Sequence, residues 1–315
     1  MKTYSIILLL LFCIASNAQD ALKPGEHLAD INGIKINYHV AGKGPVCLLP
    51  TPGWGVSMFY LKNSLQPFEK YFTMVYYETR GSGKSTAPAD PMHYSDDYYM
   101  KDLDGLRTHL KQEKVWLMGH SMGGYQVLNY TLDNQEKVNG IVAIAPMAGK
   151  DEIYREEFVQ LIYKRENKPY FNEGFAVFSR EDTVNVKLTQ FMPKIFPFYF
   201  HDADNIQKFA ALADYQPMET FISDDVWDNT GIAEFGNKNL FPELSKIKVP
   251  TLVIVGDDDF ITDQKTQAGR IVEKIPNSKM ILVKDAGHFA WIEQPDYFFN
   301  EAEKWLVEKG LKENK

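Results

Sequence analysis

The sequence is poor in cysteine, in basic runs and in long apolar stretches, and each shortage removes a class of protein. Its 315 residues contain two cysteines, Cys13 and Cys47, too few for a disulfide framework, so stability has to come from a hydrophobic core. Cys47 stands in the apolar run Val46-Cys47-Leu48-Leu49, where a cysteine behaves as a small buried hydrophobe rather than a reactive thiol. The formal net charge is -8 and no basic run occurs, which excludes the electrostatic footprint of a nucleic-acid partner. Beyond the N-terminus no stretch approaches the roughly 20 apolar residues of a membrane span.

The N-terminus itself reads as an export signal. Lys2 supplies the positive start, Ile6 to Ala15 an apolar run, and Ser16-Asn17-Ala18 the small residues of a cleavage site. Residues 1–18 are therefore assigned to a signal peptide, with the mature chain beginning near Gln19 and destined for the periplasm or the extracellular space. Bulky Phe12 precedes Cys13 where a lipoprotein signal has a small residue, so lipid attachment is not expected.

Asn32-Gly33, between Leu28 to Ile31 and Ile34 to Val40, predicts an opening hairpin. Six short apolar runs without alternation follow: Val46 to Leu49, Phe72 to Tyr77, Val115 to Met118, Ile141 to Ala145, Thr251 to Val255 and Met280 to Val283. Such runs suit strands buried on both faces of a parallel sheet. Helical segments are expected at Asp96 to Leu110, with Ser95 as cap, and at Met122 to Leu132, Thr262 to Lys274 and Asp296 to Lys309. The rhythm breaks between about Lys150 and Phe241, an aromatic-rich interval without a buried-strand run. The division is thus a core in two parts, 19–149 and 242–315, with a helical cap inserted at 150–241. The cluster Phe196-Pro197-Phe198-Tyr199-Phe200 is read as packing the cap onto the core.

The strongest chemical signal is Gly119-His120-Ser121-Met122-Gly123, with the run Val115 to Met118 before it and a helix after it. A serine on a sharp strand-to-helix turn presents its hydroxyl outward, and flanking glycines avoid collision between turn and helix. Together these features resemble the α/β-hydrolase family, and the likeness runs from about Ile34 to the C-terminal helix. It implies an α/β-hydrolase fold, a mostly parallel central sheet flanked by helices, and the order nucleophile, acid, histidine. Gly256-Asp257-Asp258-Asp259 resembles the family's acid loop and places the acid at Asp259, with Asp258 as rival and Asp257 as a weaker one. Asp285-Ala286-Gly287-His288-Phe289 resembles the loop of the catalytic histidine. Ser121 would attack, His288 would carry the proton, and Asp259 would orient His288. His120, His109 and His39 read as structural; His93 and His201 read as surface residues.

An oxyanion hole needs two backbone donors, Met122 and one from the loop after Val46 to Leu49. That loop is Pro50-Thr51-Pro52-Gly53-Trp54-Gly55, without the family's usual His-Gly. Proline has no amide hydrogen, so Trp54 is the first choice and Gly53 the second. Arg80-Gly81-Ser82-Gly83-Lys84-Ser85 matches the tail of a phosphate loop, but Glu78 stands where that loop needs glycine. The segment instead resembles a wall-forming turn of the family, closest to its prolyl-aminopeptidase branch, with Glu78 replacing the usual aspartate. The implied activity is cleavage of a carboxylic ester or small amide, in small molecules or short peptides, without metal or organic cofactor. A prolyl-aminopeptidase-like version would need carboxylates for a substrate ammonium, for which Glu173, Glu181 and Asp182 are available. A non-catalytic binding protein of the same fold is the remaining reading.

Overall fold

The computed structural model describes residues 21–179, 187–214 and 216–314; the expected signal segment, Glu181 and Asp182 lie outside them. The first two strands, β1 (Gly25–Ile31) and β2 (Ile34–Gly42), form the expected antiparallel hairpin. Asn32 (φ 47°) and Gly33 (φ 81°) both adopt the left-handed conformation, which a two-residue turn matching the strand twist demands.

β3 (Val46–Pro50), β4 (Thr73–Tyr77), β5 (Val115–His120), β6 (Val138–Ile144), β7 (Thr251–Gly256) and β8 (Ser278–Val283) complete a sheet of order β1-β2-β4-β3-β5-β6-β7-β8. From β4 to β8 neighbouring strands are parallel, and β2 joins β4 antiparallel. Every residue of β3, β5 and β7 is buried, whereas the edge strand β1 alternates with exposed residues and the edge strand β8 mixes buried with half-buried ones. Strand residues still face alternate sides. Leu49, Met118, Ile144 and Ile254 join one core layer; Leu48, Leu117, Ala143 and Val253 join the layer across the sheet.

The helices of the core are α1 (Phe59–Ser64), α2 (Asp96–His109) and α3 (Met122–Asp133) before the insertion. Ser95 stands at the N-cap of α2 but makes no capping bond, and Asp96 and Asp97 supply the negative charge of its first turn. Between β6 and β7 the described regular elements are helical: α4 (Glu152–Tyr163), α5 (Phe171–Phe178), α6 (Leu188–Ile195), α7 (Ile206–Leu212), α8 (Met218–Phe221), α9 (Asp224–Ile232) and short 3₁₀ turns. Phe198 and Phe200 are fully buried there, Phe200 stacking on Phe289 at 5.1 Å, so this aromatic cluster joins the insertion to the sheet domain.

After β7 the expected uninterrupted helix opens instead with a wide π-turn, Gln264–Ala268, before α10 (Gly269–Lys274). In that turn buried Gln267 accepts from the Ala148 amide (2.9 Å) and donates to the Gly149 carbonyl (2.7 Å), satisfying backbone that leaves β6. The chain closes with α11 (Ala290–Glu293) and α12 (Pro295–Glu308). No helix among the described residues is long and apolar enough to cross a membrane. Because the strands from β4 to β8 run parallel, the loops after β3, β5, β7 and β8 all emerge at one edge of the sheet.

Candidate active site

At the end of β5 the chain turns through Ser121 with φ 56° and ψ -120°, a conformation that costs a non-glycine residue about 1–3 kcal/mol and persists only when its surroundings impose it. The surroundings do so through backbone bonds: the Ser121 amide donates to Ile144 O (3.0 Å), and its carbonyl accepts from Tyr125 and Met147 amides (both 3.2 Å). The hydroxyl does not cap α3. A Cβ on Gly119 would overlap the Gly123 carbonyl, whereas one on Gly123 would sit 3.0 Å from Pro50 O, a milder contact. Gly124 is the tighter second position, with Pro146 at 2.7 Å. The constraint expected of the pentapeptide's second glycine thus falls largely on the next residue.

His288 and Asp259 meet below the same sheet edge. His288 Nδ1 lies 2.8 Å from Asp259 Oδ2, both side chains buried. Thr262 donates its hydroxyl to Asp259 Oδ2 (2.6 Å), and the Thr262 and Ile261 amides donate to Oδ1 (3.0 and 2.9 Å). Burial alone would raise the Asp259 pKa; the His288 ring and the Thr262 bonds outweigh it and hold it at about 2. Asp258 points elsewhere: its carboxylate meets Arg165 (3.3 Å) and His201 Nδ1 (3.1 Å), both from the insertion. Asp257 accepts at 3.4 Å from the Ala286 amide. Of the three neighbouring acids, Asp259 is the one the structure brings to His288.

Three supports of His288 carry no motif. The Tyr199 carbonyl accepts from the His288 amide (2.7 Å). Buried Glu293 takes the amides of Gly287 (2.6 Å), His201 (3.2 Å) and Asp202 (3.0 Å) and the Asn205 amide group (3.2 Å). Burial raises the Glu293 pKa, partly offset by those same bonds. His120, inside the elbow, is buried with Nδ1 3.0 Å from Tyr60 Oη and Nε2 3.3 Å from His288 O. A carbonyl can only accept, so Nε2 carries the proton and Nδ1 accepts from the tyrosine. Burial pushes His120 well below the usual imidazole range, with the nearby His288 acting in the same direction, which keeps that neutral tautomer.

On the loop after β3 the geometry reverses one expectation. The Trp54 amide is turned back onto Pro52 O at 2.7 Å, a three-residue turn centred on Gly53, and is committed there. Gly53 is clamped between Tyr99 and Phe235, too closely for any Cβ, and its carbonyl accepts from Tyr99 Oη (2.5 Å). The Met122 amide is the first of α3, one of the donors a helix N-terminus leaves without an intrahelical partner. The turn after β4 serves as an internal brace. Buried Glu78 accepts from Met58 N (3.2 Å), Asn37 Nδ2 (2.9 Å) and Lys84 N (2.7 Å), and Gly83 (φ 51°) packs on its carboxylate without room for a side chain. Arg80 and Asp102 form a buried ion pair at 2.7 Å.

The sequence profile of the alpha/beta hydrolase fold matches residues 45–295. The chain belongs to that family. It is 24% identical over 294 residues to a proline iminopeptidase of Lactobacillus crispatus (strain ST1), covering 87% of this chain and 95% of the relative. It is 27% identical to the 2-hydroxy-6-oxo-6-(2'-aminophenyl)hexa-2,4-dienoic acid hydrolase of Metapseudomonas resinovorans, over 90% and 92% of the two chains. Among solved structures, an alpha/beta fold family hydrolase from Bacillus anthracis str. Sterne superposes with a TM-score of 0.71 at 19% identity, over 90% of this chain and 98% of that one. In this α/β-hydrolase the elbow, the acid loop and the histidine loop fall within the matched span.

Proposed function

We propose that this protein is a serine hydrolase that cleaves a carboxylic ester or small amide through an acyl-enzyme on Ser121. The observation that carries this reading is the strained elbow of Ser121 combined with the His288–Asp259 contact of 2.8 Å. With Nδ1–H held by Asp259, Nε2 of His288 is left as the base. Ser121 Oγ adds to the substrate carbonyl as its proton passes to Nε2. The oxyanion is stabilised by the Met122 amide and by Gly53, preferred over Trp54 because the Trp54 amide is already engaged. His288 then protonates the departing alcohol or amine, and water, deprotonated by the same nitrogen, releases the acid. The proposal includes export by residues 1–18. Reaction with a fluorophosphonate probe tests it: the native protein should label on Ser121 and Ser121→Ala should not, and a folded native protein that never labels rejects it.

A prolyl-aminopeptidase-like reading is favoured by the curated relatives of that name in Lactobacillus crispatus and Lactobacillus helveticus (strain DPC 4571). Among the carboxylates proposed to hold a substrate ammonium, Glu173 is exposed on α5, and Glu181 and Asp182 lie outside the described residues. Comparing turnover of a proline anilide with that of short-chain nitrophenyl esters separates the two; inactivity on the anilide removes the peptidase version.

A further inference from the structure

Beside the elbow lies a cavity of about 320 Å³ whose walls include Trp54, Met122, Trp227, Phe235, Asp228 and Lys150. Met122 follows Ser121 directly in the chain, so this wall of the hollow belongs to the elbow. Three aromatic rings and Met122 supply the apolar part of the wall, Thr230 and Asn237 add polar groups, and Lys150 is the one cation among the described lining residues.

The backbone at the lysine is anchored, and among the described residues no carboxylate pairs with its side chain. Its carbonyl accepts from Arg155 Nη1 (2.7 Å), and the preceding Gly149 is bonded to Gln267 and pressed against Asn239. The adjacent acid, Asp151, is taken by both terminal nitrogens of Arg270 (3.1 and 2.6 Å) and caps α4 through the Tyr154 amide. Asp228, the other charged group of the wall, is exposed on α9 and has no ion pair among the described residues. Lys150 is itself exposed at the mouth, yet the protein around it is dense enough to lower its pKa from the ordinary lysine value. In a chain of net charge -8, the general field repels an anion, so a local cation beside the serine has a specific use.

We propose that the substrate of this site is an anion, a carboxylate-bearing ester or amide whose acid group pairs with Lys150 while its scissile carbonyl lies at Ser121. This rests on the serine-hydrolase reading and narrows its substrate class. An ammonium-bearing substrate would meet the wrong charge at Lys150 and find only Asp228 on the described wall.

The test compares p-nitrophenyl hydrogen glutarate with neutral p-nitrophenyl butyrate on the native protein, Lys150→Gln, Lys150→Arg and Asp228→Asn. The native enzyme should prefer the glutarate in kcat/KM. Lys150→Gln should lower the glutarate-to-butyrate ratio about tenfold, mainly through KM, because a hydrogen bond to a charged group contributes on that scale. Lys150→Arg should retain most of the ratio, and Asp228→Asn should leave it the same or higher. A native preference for the butyrate, inactivity on both esters, or a ratio that Lys150→Gln does not change overturns the inference. Fluorophosphonate labelling of Ser121 in the same samples separates the two failures. A labelled protein without charge preference loses only the anionic substrate, whereas a protein that does not label loses the hydrolase reading as well.

Discussion

The elbow and the histidine loop each hold one side chain at one point, but with different materials. Ser121 is held by what is near it: the Ile144 carbonyl of the next strand, the first turn of α3, and the close approach of Gly119 to Gly123. His288 is held through the helical insertion: the Tyr199 carbonyl takes its amide, and Glu293, five residues on, ties Gly287 to His201, Asp202 and Asn205. The serine is a product of sheet register, and the base depends on the helical insertion. A change in the insertion can therefore reach the proton carrier without moving the nucleophile.

The sharpest separation of the two regions comes from kinetics. Ser121→Ala should lower kcat by about 10⁶-fold with thermal stability retained, as measured by ester turnover and calorimetry. Asp259→Asn should cost about 10⁴-fold by disturbing the tautomer of His288, while Asp258→Asn, which loosens only the Arg165 and His201 contacts, should stay within about tenfold. Equal losses in the two asparagine variants would contradict the assignment of Asp259.

Stability distinguishes the regions next. Gly119→Ala should destabilise by more than about 3 kcal/mol in urea unfolding, since it forces backbone against backbone, and Gly123→Ala by distinctly less. Glu293→Gln should cost about 1–3 kcal/mol and lower kcat, because the amide cannot accept from every donor the carboxylate now serves. If Glu293→Gln loses stability and keeps full kcat, the insertion does not position the base.

The smallest effect is in acid. Asp259 ionises near 2 in the fold against about 3.9 in an unfolded chain. Its contribution is therefore complete above about pH 4 and is lost as pH falls toward 2. Asp259→Asn should flatten the stability curve in that window, and an unchanged curve would show that the pair does not stabilise the fold.

Most of the sheet was legible, because β3, β5 and β7 are buried on both faces and read as unbroken apolar runs. The Asn32-Gly33 turn was legible for a similar reason, a local conformation demanding particular residues. The supports of His288 were not. A backbone acceptor such as Tyr199 O has no residue type to betray it, and Glu293, two residues before the proline of α12, reads as an ordinary surface acid. His120 reads as the elbow's spacer until Tyr60 and His288 are brought to it. Thr262 could have been found: an aspartate followed three residues later by threonine is the spacing of a side-chain-to-backbone turn. The choice between Trp54 and Gly53 depended on where one amide points, which composition does not encode.

The four donors gathered on Glu293 also restrict how this molecule can breathe. Residues 201–205 and the histidine loop are tied to one carboxylate, so lifting that side of the insertion would disarm the base at the moment of entry. The cavity beside the elbow opens on the other side, at α9 and residues 233–237, where Trp227 is exposed and Phe235 lines the wall. The insertion is thus fastened to the histidine loop at Glu293, and any opening that spares the base has to leave the four bonds of that carboxylate intact.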